Sequence, residues 1–106
     1  MRLQIKATGF ELTPAIKSFV EEKFSSLSKF LDRWETNGEI ALRIEVSKNT
    51  EHHNKGKVFY AEANLDIPKN MLRVEETDDE LYEAIIKSRD RLKENLLKLK
   101  EKTAKH

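Results

Sequence analysis

The chain has 106 residues, 38% hydrophobic and 37% charged, with 20 basic and 19 acidic side chains and a net charge of +1. A chain of this length makes one domain, read here as residues 1–106, and buries roughly two-thirds of its unfolded surface. The absence of cysteine excludes disulfides and thiolate metal sites, and the near-neutral balance excludes indiscriminate nucleic-acid binding through an overall positive field. With no apolar run of signal-peptide or membrane-spanning length, a cytoplasmic protein without membrane attachment is expected.

In chain order, "RLQIKA" alternates, with Leu3, Ile5 and Ala7 on one side, and predicts a half-buried strand. "LTPAIKSFVEEKFSSLSKFLDRW" predicts one helix, with Thr13 as N-cap and Pro14 in the first helical position. Its apolar stripe holds Ile16, Phe19, Val20, Phe24, Leu27, Phe30 and Leu31, and "TNG" ends it. "EIALRIEV" alternates again, turning Ile40, Leu42, Ile44 and Val46 inward. "SKNTEHHNKGK" reads as a polar loop over residues 47–57.

"VFYAEANLDI" predicts a third strand with Phe59, Ala61, Ala63, Leu65 and Ile67 on one face. "PKN" turns the chain into a fourth, "MLRVEE", with Leu72 and Val74 inward. Thr77 and Glu80 have the spacing of a capping box for a last helix, lined by Leu81, Ile85, Leu92, Leu96 and Leu99. The order β-α-β-β-β-α is that of an α+β two-layer sandwich, a four-stranded sheet with two helices on one face. The helical crossover makes the first two strands parallel, and the later pairs are antiparallel hairpins.

The charges of the last segment are sorted. Six acids and no base lie between Glu75 and Glu83, and eight bases against three acids lie from Lys87 onward. Acids before a helix and bases near its end suit the macrodipole, but two or three per end are enough for that. At 100° per residue, Lys87, Arg91, Lys98, Lys102 and Lys105 share one flank of the apolar seam, and Arg89, Lys93 and Lys100 share the other. Glu83, Asp90, Glu94 and Glu101 take the outer face. The bases therefore rim the groove toward the first helix or the sheet edge.

A helix from Asp78 to Lys102 spans about 37 Å and a strand of eight residues about 27 Å, so the basic end is expected to overhang the sheet, frayed from about residue 100. In the first helix Lys23 sits within the apolar stripe. It either snorkels to water or aims into the same groove.

Other chemistry finds little support. "NKGKVFY" places Lys57 where an RNA-stacking strand needs an aromatic residue. His52 and His53 are adjacent and point apart, so no metal site is expected. There is no glycine-rich phosphate cradle or nucleophile elbow, and Glu45, Glu62 and Asp66 read as solvated strand carboxylates. Neither an enzyme, a cofactor nor a small-molecule substrate is expected.

Three stretches, "ELTPAIKSFVEEKFSSLSKFLDR", "LRVEETDDELYEAI" and "DRLKENLLKLKEK", resemble the signatures of the ribosome hibernation promoting factors and ribosome-associated inhibitors, within the sigma-54 modulation protein family. The resemblance covers nearly the whole chain and implies a fold similar to the double-stranded-RNA-binding domain. It implies binding to the small ribosomal subunit between head and body, over the mRNA and tRNA sites, which silences idle ribosomes in starvation or stationary phase.

The family's basic contacts to ribosomal RNA would fall on Lys23, Lys29, Arg91, Lys98 and Lys100, with Lys87 and Lys102 as neighbours, and Tyr82 matches a family tyrosine that could equally be a packing residue. Long members carry a second domain that pairs ribosomes. This chain looks like a short form, for which ribosome dimerisation would need a second factor or would not occur. Two other classes stay open on the residues alone: a protein–protein module using the long last helix, and a general double-stranded RNA binder.

Overall fold

Alternating apolar residues make four strands, β1 (Arg2–Thr8), β2 (Ala41–Lys48), β3 (Phe59–Ile67) and β4 (Asn70–Asp78). The computed structural model describes residues 1–35, 39–49 and 58–104. The loop histidines His52 and His53, Lys57, Lys105 and the "TNG" stretch lie outside the described residues. The sheet order is β1-β2-β3-β4, with β1 and β2 parallel and the other pairs antiparallel. This is the expected α+β sandwich. Among the described residues no helix is long and apolar enough to cross a membrane.

One face of the sheet carries the core. Leu42, Ile44 and Val46 of β2 and Ala61, Ala63 and Leu65 of β3 are buried against Val20, Phe24, Leu27 and Leu31 from one side chain layer and Ala84, Ile85, Leu92 and Leu96 from the other. Each large aliphatic or aromatic side chain so buried contributes about 1.5–3 kcal/mol. Ser88 is buried among them, and its hydroxyl donates to the Ile85 carbonyl at 2.8 Å, so no polar atom is stranded.

The first helical segment is not one helix. It divides into α1 (Pro14–Ser25), a 3-10 turn (Ser28–Phe30) and a short α2 (Asp32–Glu35). The start is as expected, with the Thr13 hydroxyl accepting the Ile16 N–H at 3.2 Å. The break falls at two serines, whose hydroxyls donate to Glu22 O at 3.1 Å and Lys23 O at 2.6 Å, competing for the last carbonyls of the helix. The following amides then wind more tightly, Leu27 to Phe24 at 3.0 Å and Phe30 to Leu27 at 2.9 Å. This keeps Leu27 and Leu31 in the core and leaves Phe30 half-buried at its edge.

The last helix, α3 (Leu81–Ala104), also begins differently. Thr77 and Glu80 do not form the capping box, because β4 continues to Asp78 and pairs Thr77 with Tyr60. Asp78 instead accepts the Glu80 N–H at 3.0 Å, and Ala84 N–H bonds to Glu80 O at 3.0 Å. That bond, followed by the Lys87 ammonium, holds the Asp78 carboxyl below the ordinary carboxylate range. The basic end of the helix reaches the β3–β4 turn. Thr103 stands beside Pro68, Lys69 and Asn70 of the β3–β4 turn and receives a 2.9 Å hydrogen bond from Arg33. The helix continues to Ala104, into the stretch expected to fray.

The open face of the sheet is knitted by polar side chains. Glu62 accepts from Tyr60 and Asn64, each at 2.7 Å, and from Arg73 at 3.1 and 3.3 Å, while Arg43 bonds Asp66 at 2.6 Å. Arg73 first, then Asn64 and Tyr60, hold the Glu62 carboxyl down at about 2, from an ordinary 4.5. The Tyr60 hydroxyl is pushed upward by burial and by that carboxylate.

Two consequences are measurable. An unfolded Glu62 takes its proton near 4.5 and the folded one near 2, so its stabilisation is complete above that range and lost as pH falls through it. Glu62→Gln therefore flattens the loss of stability between those pH values, read by urea midpoints. Gly9 has φ +85, and a Cβ there would stand 2.9 Å from the Lys48 carbonyl. Gly9→Ala is expected to lower stability by about 1–3 kcal/mol, shifting the midpoint with an unchanged denaturant slope.

Candidate nucleic-acid interface

Burial of Ala84, Ile85, Ser88, Leu92 and Leu96 against the sheet fixes the rotation of α3. Its two basic flanks then face different neighbours. On the first flank, β4 meets them with carboxylates: Arg91 Nε lies 2.6 Å from Glu76, and Lys87 Nζ donates to Thr77 O at 3.0 Å and to Asp78 at 3.1 Å. Further along, Lys98 pairs with Glu94 one turn before it at 3.3 Å and is exposed, as is Lys102. This flank is largely neutralised.

The second flank faces α1 and the 3-10 turn. At 100° per residue Tyr82, Arg89, Lys93 and Lys100 lie within about 20° of one line on α3, and the line spans about 27 Å. Opposite them stand Phe19, Lys23, Ser26, Lys29 and Phe30. The ammonium groups of Lys29 and Lys93 are each 5.3 Å from the Phe30 ring centroid, and that of Lys100 is 5.9 Å away. Arg89 spans the groove, donating at 3.4 Å to both Lys23 O and the Ser26 hydroxyl, and bonds Asp90 at 2.7 Å. Ser26, Lys29, Phe30, Arg89, Asp90 and Lys93 line a concavity of about 230 Å³.

At one end Phe19 packs edge-on against Tyr82, with ring centroids 4.3 Å apart at 67°. The Lys23 ammonium sits 5.3 Å from the Phe19 centroid and 3.8 Å from Glu22. Lys23 thus runs along an aromatic face to the surface of the groove, reconciling the two sequence readings of it. Tyr82 is 42% exposed.

Of the seven lysines and arginines singled out from the sequence, the fold brings Lys23, Lys29 and Lys100 into one groove. Lys87 and Arg91 lie on the far side of α3, and Lys98 and Lys102 continue that side outward. Arg89 and Lys93, which sequence reasoning placed on a flank but not at the site, belong to the groove. The spacing of seven, four and seven from Tyr82 through Arg89 and Lys93 to Lys100 was the available signal.

Three cations about one ring add little net stability. Each gains up to about 1 kcal/mol from an exposed aromatic face, offset by repulsion from the other two. The combined Lys29→Gln, Lys93→Gln and Lys100→Gln variant is expected to keep its stability to within about 0.5 kcal/mol per site. Phe30→Ala should lower it by at least about 1 kcal/mol. Thermal and urea unfolding of the two variants measure the contrast.

Comparison with known proteins bears on what the groove meets. The family model described as sigma 54 modulation protein / S30EA ribosomal protein matches residues 3–104. The chain is 31% identical over 97 residues to the ribosome hibernation promotion factor of Deinococcus radiodurans, covering 92% of this chain and 48% of that protein. It is 31% identical over 106 residues to the ribosome hibernation promoting factor of Klebsiella oxytoca, covering 100% of both. It thus spans about half the length of the first relative and the whole of the second.

Among solved structures, the N-terminal domain of Thermus thermophilus Protein Y has a TM-score of 0.75 at 30% identity, covering 93% of this chain and 99% of that one. A ribosomal subunit interface protein from Coxiella burnetii shares the fold at a TM-score of 0.76 and 22% identity, covering 95% and 99% respectively. With its sheet order, its helices and nearly its whole length matched, the chain belongs to the sigma 54 modulation protein / S30EA ribosomal protein family.

Proposed function

We propose that this protein binds the small ribosomal subunit at the mRNA and tRNA channel through ribosomal RNA. Bound there, it inhibits translation by holding ribosomes inactive in starvation or stationary phase. The observation that carries the reading is the cationic groove between α3 and the α1–3-10 segment, where Lys29, Lys93 and Lys100 converge on Phe30. Family membership supplies the ribosome as the setting. Relatives named as ribosome hibernation factors support the outcome.

The groove supplies what a phosphate backbone requires: several ammonium groups and a guanidinium on a rigid frame, with few carboxylates among them. Cations that touch phosphates release counterions, so affinity depends steeply on salt. The action is steric occupation of the channel and involves no catalysis, and the setting is the cytoplasm, where ribosomes work. Lys23, Lys29 and Lys100, with Arg89 and Lys93, make the principal contacts. Lys87, Arg91, Lys98 and Lys102 act as a second cationic margin, the first two at the expense of their pairs with Asp78 and Glu76.

The test is co-sedimentation with purified small subunits. With about five cations engaged, binding should weaken on the order of 100-fold between about 50 and 200 mM salt. The Lys29→Glu, Lys93→Glu and Lys100→Glu variant should stay in the supernatant, while Lys98→Glu with Lys102→Glu retains partial binding. Wild-type protein that fails to pellet at either salt rejects ribosome binding and turns attention to a protein partner for α3. Equal loss in both variants rejects the groove as the principal surface.

A further inference from the structure

The groove is not uniformly cationic. The same line on α3 that carries Arg89, Lys93 and Lys100 begins with Tyr82, 42% exposed, about 10 Å before Arg89 at the helical rise. Its ring is braced edge-on by Phe19 at 4.3 Å, and Lys23 lies beside that pair, 5.3 Å from the Phe19 centroid. An aromatic ring this exposed, fixed in orientation and continuous with a row of cations, is poorly explained by packing. A core-facing residue would turn inward, as Ala84 and Ile85 do in the same turn.

We propose that Tyr82 is a stacking platform for an unpaired RNA base, and that the groove follows a single-stranded segment whose phosphates lie along Arg89, Lys93 and Lys100. This rests on the RNA reading above and specifies the state of the RNA. Duplex RNA is met through its shape, hydroxyls and phosphates, and its stacked bases offer no free face to a side chain. Unpaired bases do, and proteins that follow single strands set aromatic rings within cationic grooves. The bracing by Phe19 matters because a ring already held in place loses little conformational freedom when a base covers it. Lys23 would meet the phosphate nearest that base.

The experiment measures the affinity of the full chain for small subunits across a salt series, for wild type, Tyr82→Phe and Tyr82→Leu. Stacking is worth about 1–3 kcal/mol per base, so Tyr82→Leu should weaken binding by roughly 5- to 150-fold at every salt concentration. Its slope against log salt should be unchanged, because no cation is lost. Tyr82→Phe keeps the ring and should bind within about twofold of wild type. Thermal melts of wild type and both variants set the folded fraction, so the affinities refer to folded protein.

Tyr82→Leu binding as wild type does overturns the stacking role and leaves the cationic groove standing. Loss in Tyr82→Phe equal to that in Tyr82→Leu also overturns it, since the hydroxyl rather than the ring would then be the contact. Absence of wild-type binding defeats the ribosome reading itself, and this inference with it, a result distinct from either of the others.

Discussion

The seating of α3 on β3 and β4 governs nearly everything else in this protein. Leu92 and Leu96 are fully buried there with Ala84 and Ile85, and such a seam tolerates no rotation about the helix axis without exposing apolar area at about 25 cal/mol per Å². Once that angle is fixed, the residues at right angles to the seam are fixed as well. One set must face β4 and the other must face α1. The cationic groove is thus a by-product of core packing, which is a dependable way to hold like charges together. They converge because their backbones are anchored elsewhere.

The two flanks differ in what opposes them. Glu76 and Asp78 stand on the helix side of β4, in line with buried Val74, and absorb Arg91 and Lys87. The acidic run that precedes α3 therefore does more than complement a helix dipole. It neutralises one side of the helix and keeps the whole molecule near zero net charge, while on the other side Arg89 pairs with Asp90 and Lys93 and Lys100 stand over Phe30. A protein arranged in this way presents a local positive surface without the general affinity for polyanions that a uniformly basic one has.

The 3-10 turn at Ser28–Phe30 serves the same division. A continuous α-helix through this segment would place Phe30 and Lys29 at a different angle from the one seen. Tightening the chain after Ser25 and Ser26 keeps Leu27 and Leu31 in the core and sets Phe30 at its margin, where three lysines reach it. Arg33 and Thr103 close the far end of the groove, binding the short α2 to the last turn of α3. The aromatic rings at Phe19 and Phe30 give the groove walls that lysine stems can lie against.

The sequence by itself determined the strands, their order and the inward side of each, because alternation at period two leaves one solution for a sheet with a single covered face. It also determined the apolar seam of α3 and the two basic flanks, which follow from helical geometry alone. What it could not determine was local competition. Whether Thr77 and Asp78 end a strand or start a helix depended on pairing with Tyr60 and Phe59, partners about eighteen residues away. Whether residues 14–34 form one helix depended on serine hydroxyls competing for carbonyls and on what the core accepted.

The site was divided in the same way. Lys23 and Lys100 were legible as cations near a groove and Lys29 only through the family resemblance, but Lys87 and Arg91 looked equivalent to them. Only the fold set carboxylates of β4 against that pair, while Lys29, Lys93 and Lys100 on the other flank gathered about Phe30. Charge along a chain is a property of the sequence. Which charges remain unanswered is a property of the distances between elements, and those are decided by how the apolar faces meet.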